Sequence, residues 1–297
     1  MDYYDNLEQL LEEASEKHCG LSTLVLQQQA KEMESTPESL FERMEHQYDV
    51  MTQAVQKGMA AGVRSNSGLT GGDAHRLAQQ IDEHKHLCGT FFAGALARAI
   101  AVAEINAAMG CIVAAPTAGS CGILPAAVIT MQMEKDISKK DCIMSLFTAS
   151  AVGMVIAKNA CLSGAQGGCQ AECGSASAMA AAAVIELAGG TPDMIGHAVA
   201  IAIKNTLGLV CDPVAGLVEI PCIKRNASGV SNAFVAAELA LSGIKSAIPA
   251  DEVIAAMKSI GDSMPSSLKE TGEGGLAATP TGQRIFRQIF GEDLAAH

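Results

Sequence analysis

Three cysteines, Cys169, Cys211 and Cys222, sit where the chain turns sharply, in Gly167-Gly168-Cys169-Gln170, Val210-Cys211-Asp212-Pro213 and Ile220-Pro221-Cys222-Ile223. A cysteine kept for packing usually lies on the apolar face of a regular element, whereas thiols beside Gly, Asp and Pro are placed to converge on a metal. Three thiolates suit a cubane iron–sulfur cluster with one iron left for a substrate, which would make the chain an enzyme. Cys169 and Cys173 also form a C-x3-C pair. That spacing alone is a weak signal, because zinc sites usually pair short spacings with further Cys or His.

Other segments have the composition of site loops. Residues 163–183 read as a glycine loop feeding an Ala-rich helix, whose free N–H groups and dipole would favour thiolate or an anionic cluster. A tightly packed helix start would look the same. Residues 205–226 hold Cys211 and Cys222 in an apolar excursion interrupted by Pro213 and Pro221, followed by Arg225 and Asn226. A guanidinium fork and an amide at that point could bind a carboxylate. Two further loops, one with Thr117 and Ser120 and one with Ser65 and Thr70, combine hydroxyls with glycine and could form anion nests. Each could equally be a plain helix connection. His84 and His86, amid Asp82, Glu83 and Lys85, read as a solvated helix face. No nucleophile elbow, P-loop or dinucleotide fingerprint is present.

These loops need helices to hold them. The chain has 297 residues, 49% hydrophobic but only 3% aromatic and without Trp, so bulk comes from Ala, Val, Ile, Leu and Met. Helix openings recur at Ser35-Thr36-Pro37-Glu38, Thr70-Gly71-Gly72-Asp73, Ser138–Asp141, Thr191-Pro192-Asp193, Pro249–Glu252 and Thr279-Pro280. Period-2 alternation is scarce. The expectation is an all-α, multi-helix domain of ten to thirteen helices, with buried Ala-rich helices and glycine-rich site loops. Residues 1–60 are more charged and read as an N-terminal helical region packing on the core or a partner; residues 61–297 read as the catalytic domain.

Net charge is −12 with no basic tract, which argues against nucleic acid. The ten cysteines follow a polar N-terminus without a secretory leader, so a reducing cytoplasm is expected. The apolar runs near 91–115 and 174–188 are interrupted by Arg98, Glu104 and Glu186, so they read as core helices and no membrane is expected.

Five strings together resemble the alpha subunit of the two-chain, iron–sulfur-dependent bacterial L-serine dehydratases. They are residues 65–72 (SNSGLTGG), 115–125 (APTAGSCGILP), 163–172 (SGAQGGCQAE), 207–216 (LGLVCDPVAG) and 220–227 (IPCIKRNA), and the likeness covers most of residues 60–290. It implies an all-helical catalytic domain that converts L-serine to pyruvate and ammonia. It also implies a [4Fe–4S] cluster held by Cys169, Cys211 and Cys222, with one open iron as Lewis acid; Cys173 matches no ligand position. Single-chain relatives carry a further domain and end in a cysteine, whereas this sequence ends Asp293-Leu-Ala-Ala-His297. A beta subunit is therefore the expected partner and the expected source of the general base. Arg225, Asn226, Ser120 and Thr117 are the candidate substrate-binding residues, with Ser65 and Thr70 next. Three alternatives stay open: a related lyase acting on L-threonine or L-cysteine, a non-catalytic iron–sulfur helical subunit, and a pyridoxal-phosphate enzyme using Lys204.

Overall fold

Capping chemistry decides where most of the helices begin. The computed structural model describes residues 5–291, so the first four residues and the Asp293–His297 end lie outside it. Among the described residues there are thirteen α-helices and no strand, the expected all-α class. In chain order they are α1 Leu7–Glu16, α2 Leu21–Glu32, α3 Pro37–Gly58, α4 Asp73–Asp82, α5 Gly89–Ala107, α6 Ile123–Lys135 and α7 Lys139–Asn159. There follow α8 Gly164–Gly167, α9 Ser175–Leu187, α10 Pro192–Lys204, α11 Cys222–Leu241, α12 Ala250–Ser263 and α13 Pro280–Phe290.

Thr36, Thr191 and Thr279 each accept a hydrogen bond from the amide three residues on, with proline as the first helical residue, so α3, α10 and α13 start where the sequence places them. Ser138 likewise accepts from Asp141 N and opens α7, which runs to Asn159. For α4 the cap comes from elsewhere. Gly72 has φ +82, and the buried Glu104 carboxylate of α5 accepts from Asp73 N at 2.8 Å. His84 and His86 lie in the turn after α4 rather than on a helix face, and His84 is exposed as expected.

Helix α9 is the axis of the fold. Its Ala176, Ala178 and Ala180 to Ala183 are fully buried, and α6, α7, α10 and α11 pack around it. Alanine lets the neighbouring helices approach closely while Ile, Leu and Val fill the gaps, which is how so few aromatics still give a dense core. Helices α5 and α7 are long and apolar enough to cross a membrane, but 67% of the apolar 18-residue stretch of each is buried inside the fold. The N-terminal helices join the same core: α1 packs on α10 and α12, α2 on α7, and α3 on α5. At the α3–α5 crossing a Cβ on Gly58 would lie 2.2 Å from Ala101 O, so only glycine permits the approach.

Candidate metal centre

The chain enters the site through α8, which Ser163 caps by accepting from Gln166 N at 3.3 Å. Gly168, at φ +76, then turns the backbone into Cys169. The Ala-rich helix does not start there. Residues Gln170–Gly174 first form a π-helical turn, a wider coil that carries Glu172 and Cys173, and α9 follows. The buried Gln170 stitches this turn to the second cysteine segment. Its amide N bonds Leu209 O at 2.9 Å, its Oε1 accepts from Gly208 N at 2.9 Å, and its Nε2 donates to Met257 O at 3.0 Å.

Cys211 is held by backbone on both sides, its N donating to Leu268 O at 2.9 Å and its O accepting from Glu270 N at 2.8 Å. Next to it Asp212 accepts from Arg225 Nη2 at 2.8 Å and from Leu276 N at 2.8 Å. Arg225 Nη1 also donates to Val210 O at 2.9 Å. The segment after α12 therefore straps the Cys211 turn onto the start of α11.

Cys169, Glu172 and Cys211 bring their ligand atoms within 4.8 Å of one another, all buried, which makes a group able to hold a metal. Cys173 Sγ lies 3.5 Å from Cys169 Sγ, although sequence reasoning had set Cys173 aside. Cys222 is the first residue of α11 and is buried; it feels the charge of Cys169 and Glu172 but is not one of the three within 4.8 Å. The Cys173 and Cys211 thiols point toward the Cys169 sulfur and Arg225 adds positive charge, so Cys169 is held well below the ordinary thiol value. Burial pushes Cys222 up to about 12. It also raises Glu172 to about 7, against a hydrogen bond from Thr117 that pulls the other way.

The hydroxyl candidates fall into two groups. Thr117 Oγ1 donates to Glu172 Oε1 at 2.6 Å and lies 3.0 Å from the fully buried Ser120 Oγ, so this loop joins the thiol group directly. Ser65 and Thr70 instead close their own loop: Ser65 Oγ accepts from Thr70 N at 3.1 Å, and Thr70 Oγ1 donates to Glu219 Oε2 at 2.6 Å. That docks the loop beside Pro221 and Cys222. Asn226 is committed as a brace. Its Nδ2 donates to Gly119 O at 2.8 Å and Cys222 O at 2.9 Å, while its Oδ1 accepts from Gly122 N at 2.8 Å. Lys204, at the end of α10, donates to Ser246 Oγ at 2.8 Å and is outside the thiol group.

Glu172, Asp212, Glu219 and Gln170 are the residues sequence reasoning missed. A signal was present: each is a polar residue inside an apolar, glycine-rich stretch, where burial demands a partner.

Residues 16–277 match the family described as serine dehydratase alpha chain. The chain is 52% identical over 293 residues to the probable L-serine dehydratase, alpha chain, of Bacillus subtilis, spanning 99% of this chain and 97% of that one. It is 44% identical over 284 residues to the L-serine dehydratase, alpha chain, of Peptoniphilus asaccharolyticus, spanning 96% and 97%. The L-serine dehydratase of Streptomyces coelicolor is 45% identical over 181 residues, 60% of this chain but only 40% of that longer protein. The chain therefore belongs to the serine dehydratase alpha chain family.

Proposed function

We propose that this chain is the alpha subunit of an L-serine ammonia-lyase, which converts L-serine to pyruvate and ammonia, and that Cys169, Cys211 and Cys222 hold a [4Fe–4S] cluster. The observation that carries the reading is the buried convergence of Cys169, Cys211 and Glu172, in a chain of this family. The donor set fits such a group. All three cysteines are free and buried, one is strongly biased to thiolate, and a Cβ on Gly164 would lie 2.7 Å from Cys211 Sγ, so the turn has no side chain in that space. Ten free cysteines among the described residues also favour a reducing, cytoplasmic setting.

When bound, the cluster supplies a Lewis-acidic iron that makes the serine hydroxyl a better leaving group. The remaining work falls to side chains. Arg225, fixed by Asp212 and Val210 O, offers its unused N–H groups to the substrate carboxylate. Thr117 and Ser120 face the same side as Glu172 and supply hydroxyl partners. Asn226, Ser65 and Thr70 act as positioning residues that hold the loops around Cys222. Removal of the α-proton and loss of the β-hydroxyl give aminoacrylate, whose imine tautomer hydrolyses to pyruvate and ammonia. We assign the general base to a beta chain, the partner implied by the alpha-chain relatives.

The test is anaerobic assay of pyruvate from L-serine, with and without a beta chain, on the native chain and Cys211→Ala. The variant is expected to lose the broad visible thiolate-to-iron absorbance and turnover together. Turnover retained without iron would overturn the reading. Cys222→Ser and Cys173→Ser separate the ligand sets: the first is expected to lose iron and the second to keep it.

A further inference from the structure

We infer that Glu172 is the substrate-binding residue that receives the α-ammonium group of the amino-acid substrate. This rests on the proposed serine chemistry and deepens it. A carboxylate has about four acceptor positions on its two oxygens. Among the described residues Glu172 spends one of them on a full-strength hydrogen bond, from Thr117 Oγ1 at 2.6 Å. Cys211 Sγ stands 4.0 Å from the other oxygen.

Buried carboxylates are ordinarily matched by a cation or by several N–H donors. The cation that acts on Glu172 is Arg225, which is already engaged with Asp212 at 2.8 Å and Val210 O at 2.9 Å. Beside Thr117 and Cys211, glycine backbone closes on the carboxylate. A Cβ on Gly164 would come 2.8 Å from Oε2 and one on Gly119 would come 3.1 Å from Oε1. Glu172 is thus rigidly held, shielded from water and short of donors, beside the thiols proposed to hold the reacting centre. An α-ammonium brings three N–H donors and a positive charge, the complement that is missing.

Three-point recognition follows. Glu172 takes the ammonium and Arg225 the carboxylate, and a cluster held by the neighbouring thiols would take the hydroxyl, so the Cα hydrogen is presented in one orientation only. Such a site rejects a hydroxy acid of the same skeleton, because a hydroxyl in place of ammonium leaves the buried carboxylate uncompensated.

The test uses the holoenzyme with its beta chain under anaerobic conditions, comparing native chain and Glu172→Gln. Iron and sulfide content, the substrate-free spectrum, kcat and KM for L-serine, and inhibition by glycerate (serine with hydroxyl for ammonium) are measured. The expected result is unchanged iron and spectrum, a KM increased about 10- to 100-fold, a much smaller change in kcat, and glycerate inhibition equal to or better than native. Glu172→Asp should recover part of the KM. A collapse of kcat at unchanged KM would make Glu172 a proton-transfer group, and loss of iron or an altered substrate-free spectrum would make it a cluster ligand; either overturns the inference. If Glu172→Gln does not fold, Thr117→Val decides. Deprived of its hydroxyl donor, the carboxylate is shorter of donors still and should prefer serine over glycerate more strongly; an unchanged or reduced preference would count against the inference. A native enzyme inactive on L-serine would instead sink the functional reading itself.

Discussion

Helix α9 runs between two carboxylates, the buried Glu172 and the half-buried Glu186, and their partners differ completely. At its far end Glu186 accepts from the hydroxyls of Ser22 and Thr148 and from Ser22 N at 3.4 Å, donors that belong to α2 and α7. At its near end Glu172 has one hydroxyl and a group of thiols. Glu186 takes its donors from the scaffold on both oxygens and rivets the N-terminal layer to the core. Glu172 keeps acceptor capacity that the scaffold leaves unused. The partner inventory, more than residue type, separates the structural acid from the one proposed to bind substrate.

The comparison breaks most visibly at the near end. Gly164→Ala would push a methyl to within 2.7 Å of Cys211 Sγ and 2.8 Å of Glu172 Oε2. We expect loss of most bound iron and of serine turnover, with helix content by circular dichroism unchanged. Normal iron loading would mean that the close approach is not part of the site. Asp212→Ala ranks next, because it leaves the Arg225 guanidinium without its buried partner and frees Leu276 N. Breaking a buried pair costs about 3–5 kcal/mol, to be read from the urea midpoint, and KM should rise as Arg225 loses its fixed position. A KM that stays put would remove Arg225 from carboxylate binding.

Glu186→Ala tests the far end. It strands two hydroxyls and one amide, for about 1–3 kcal/mol, and should leave iron content and KM as in the native chain. Any change in KM would contradict the separation of the two ends.

The helical scaffold was legible because its signals are local. A threonine before proline caps a helix whatever surrounds it, and α3, α10 and α13 obey that rule. The cysteine loops were legible as candidates because Gly and Pro interrupt an otherwise helical pattern. Their convergence was expected but its means was not, since Gln170, 38 residues from Gly208, supplies the stitch that brings Cys169 to Cys211. Nor could spacing reveal that Asn226 spends both amide protons on backbone carbonyls, one of them 107 residues away. The π-helical turn escaped too, because a coil one residue wider than an α-helix has no local composition mark. It is that turn that sets Glu172 and Cys173 beside Cys169.

Ser177 lies between the two ends and gives the smallest effect and the sharpest test of their independence. Its hydroxyl sits 2.7 Å from Cys173 O and 2.9 Å from Gly229 O, tying the last residues of the site turn to α11. Ser177→Ala removes one buried hydroxyl donor but no charge, so the loss should be about 1 kcal/mol with the urea slope unchanged. Nine residues of helix, about 13 Å, separate Ser177 from Glu186. At that distance the effects of Ser177→Ala and Glu186→Ala should add to within about 0.5 kcal/mol. A larger deviation, or iron loss in Ser177→Ala alone, would show that α9 couples scaffold to site, and Glu172 and Glu186 would then have to be treated as two ends of one device.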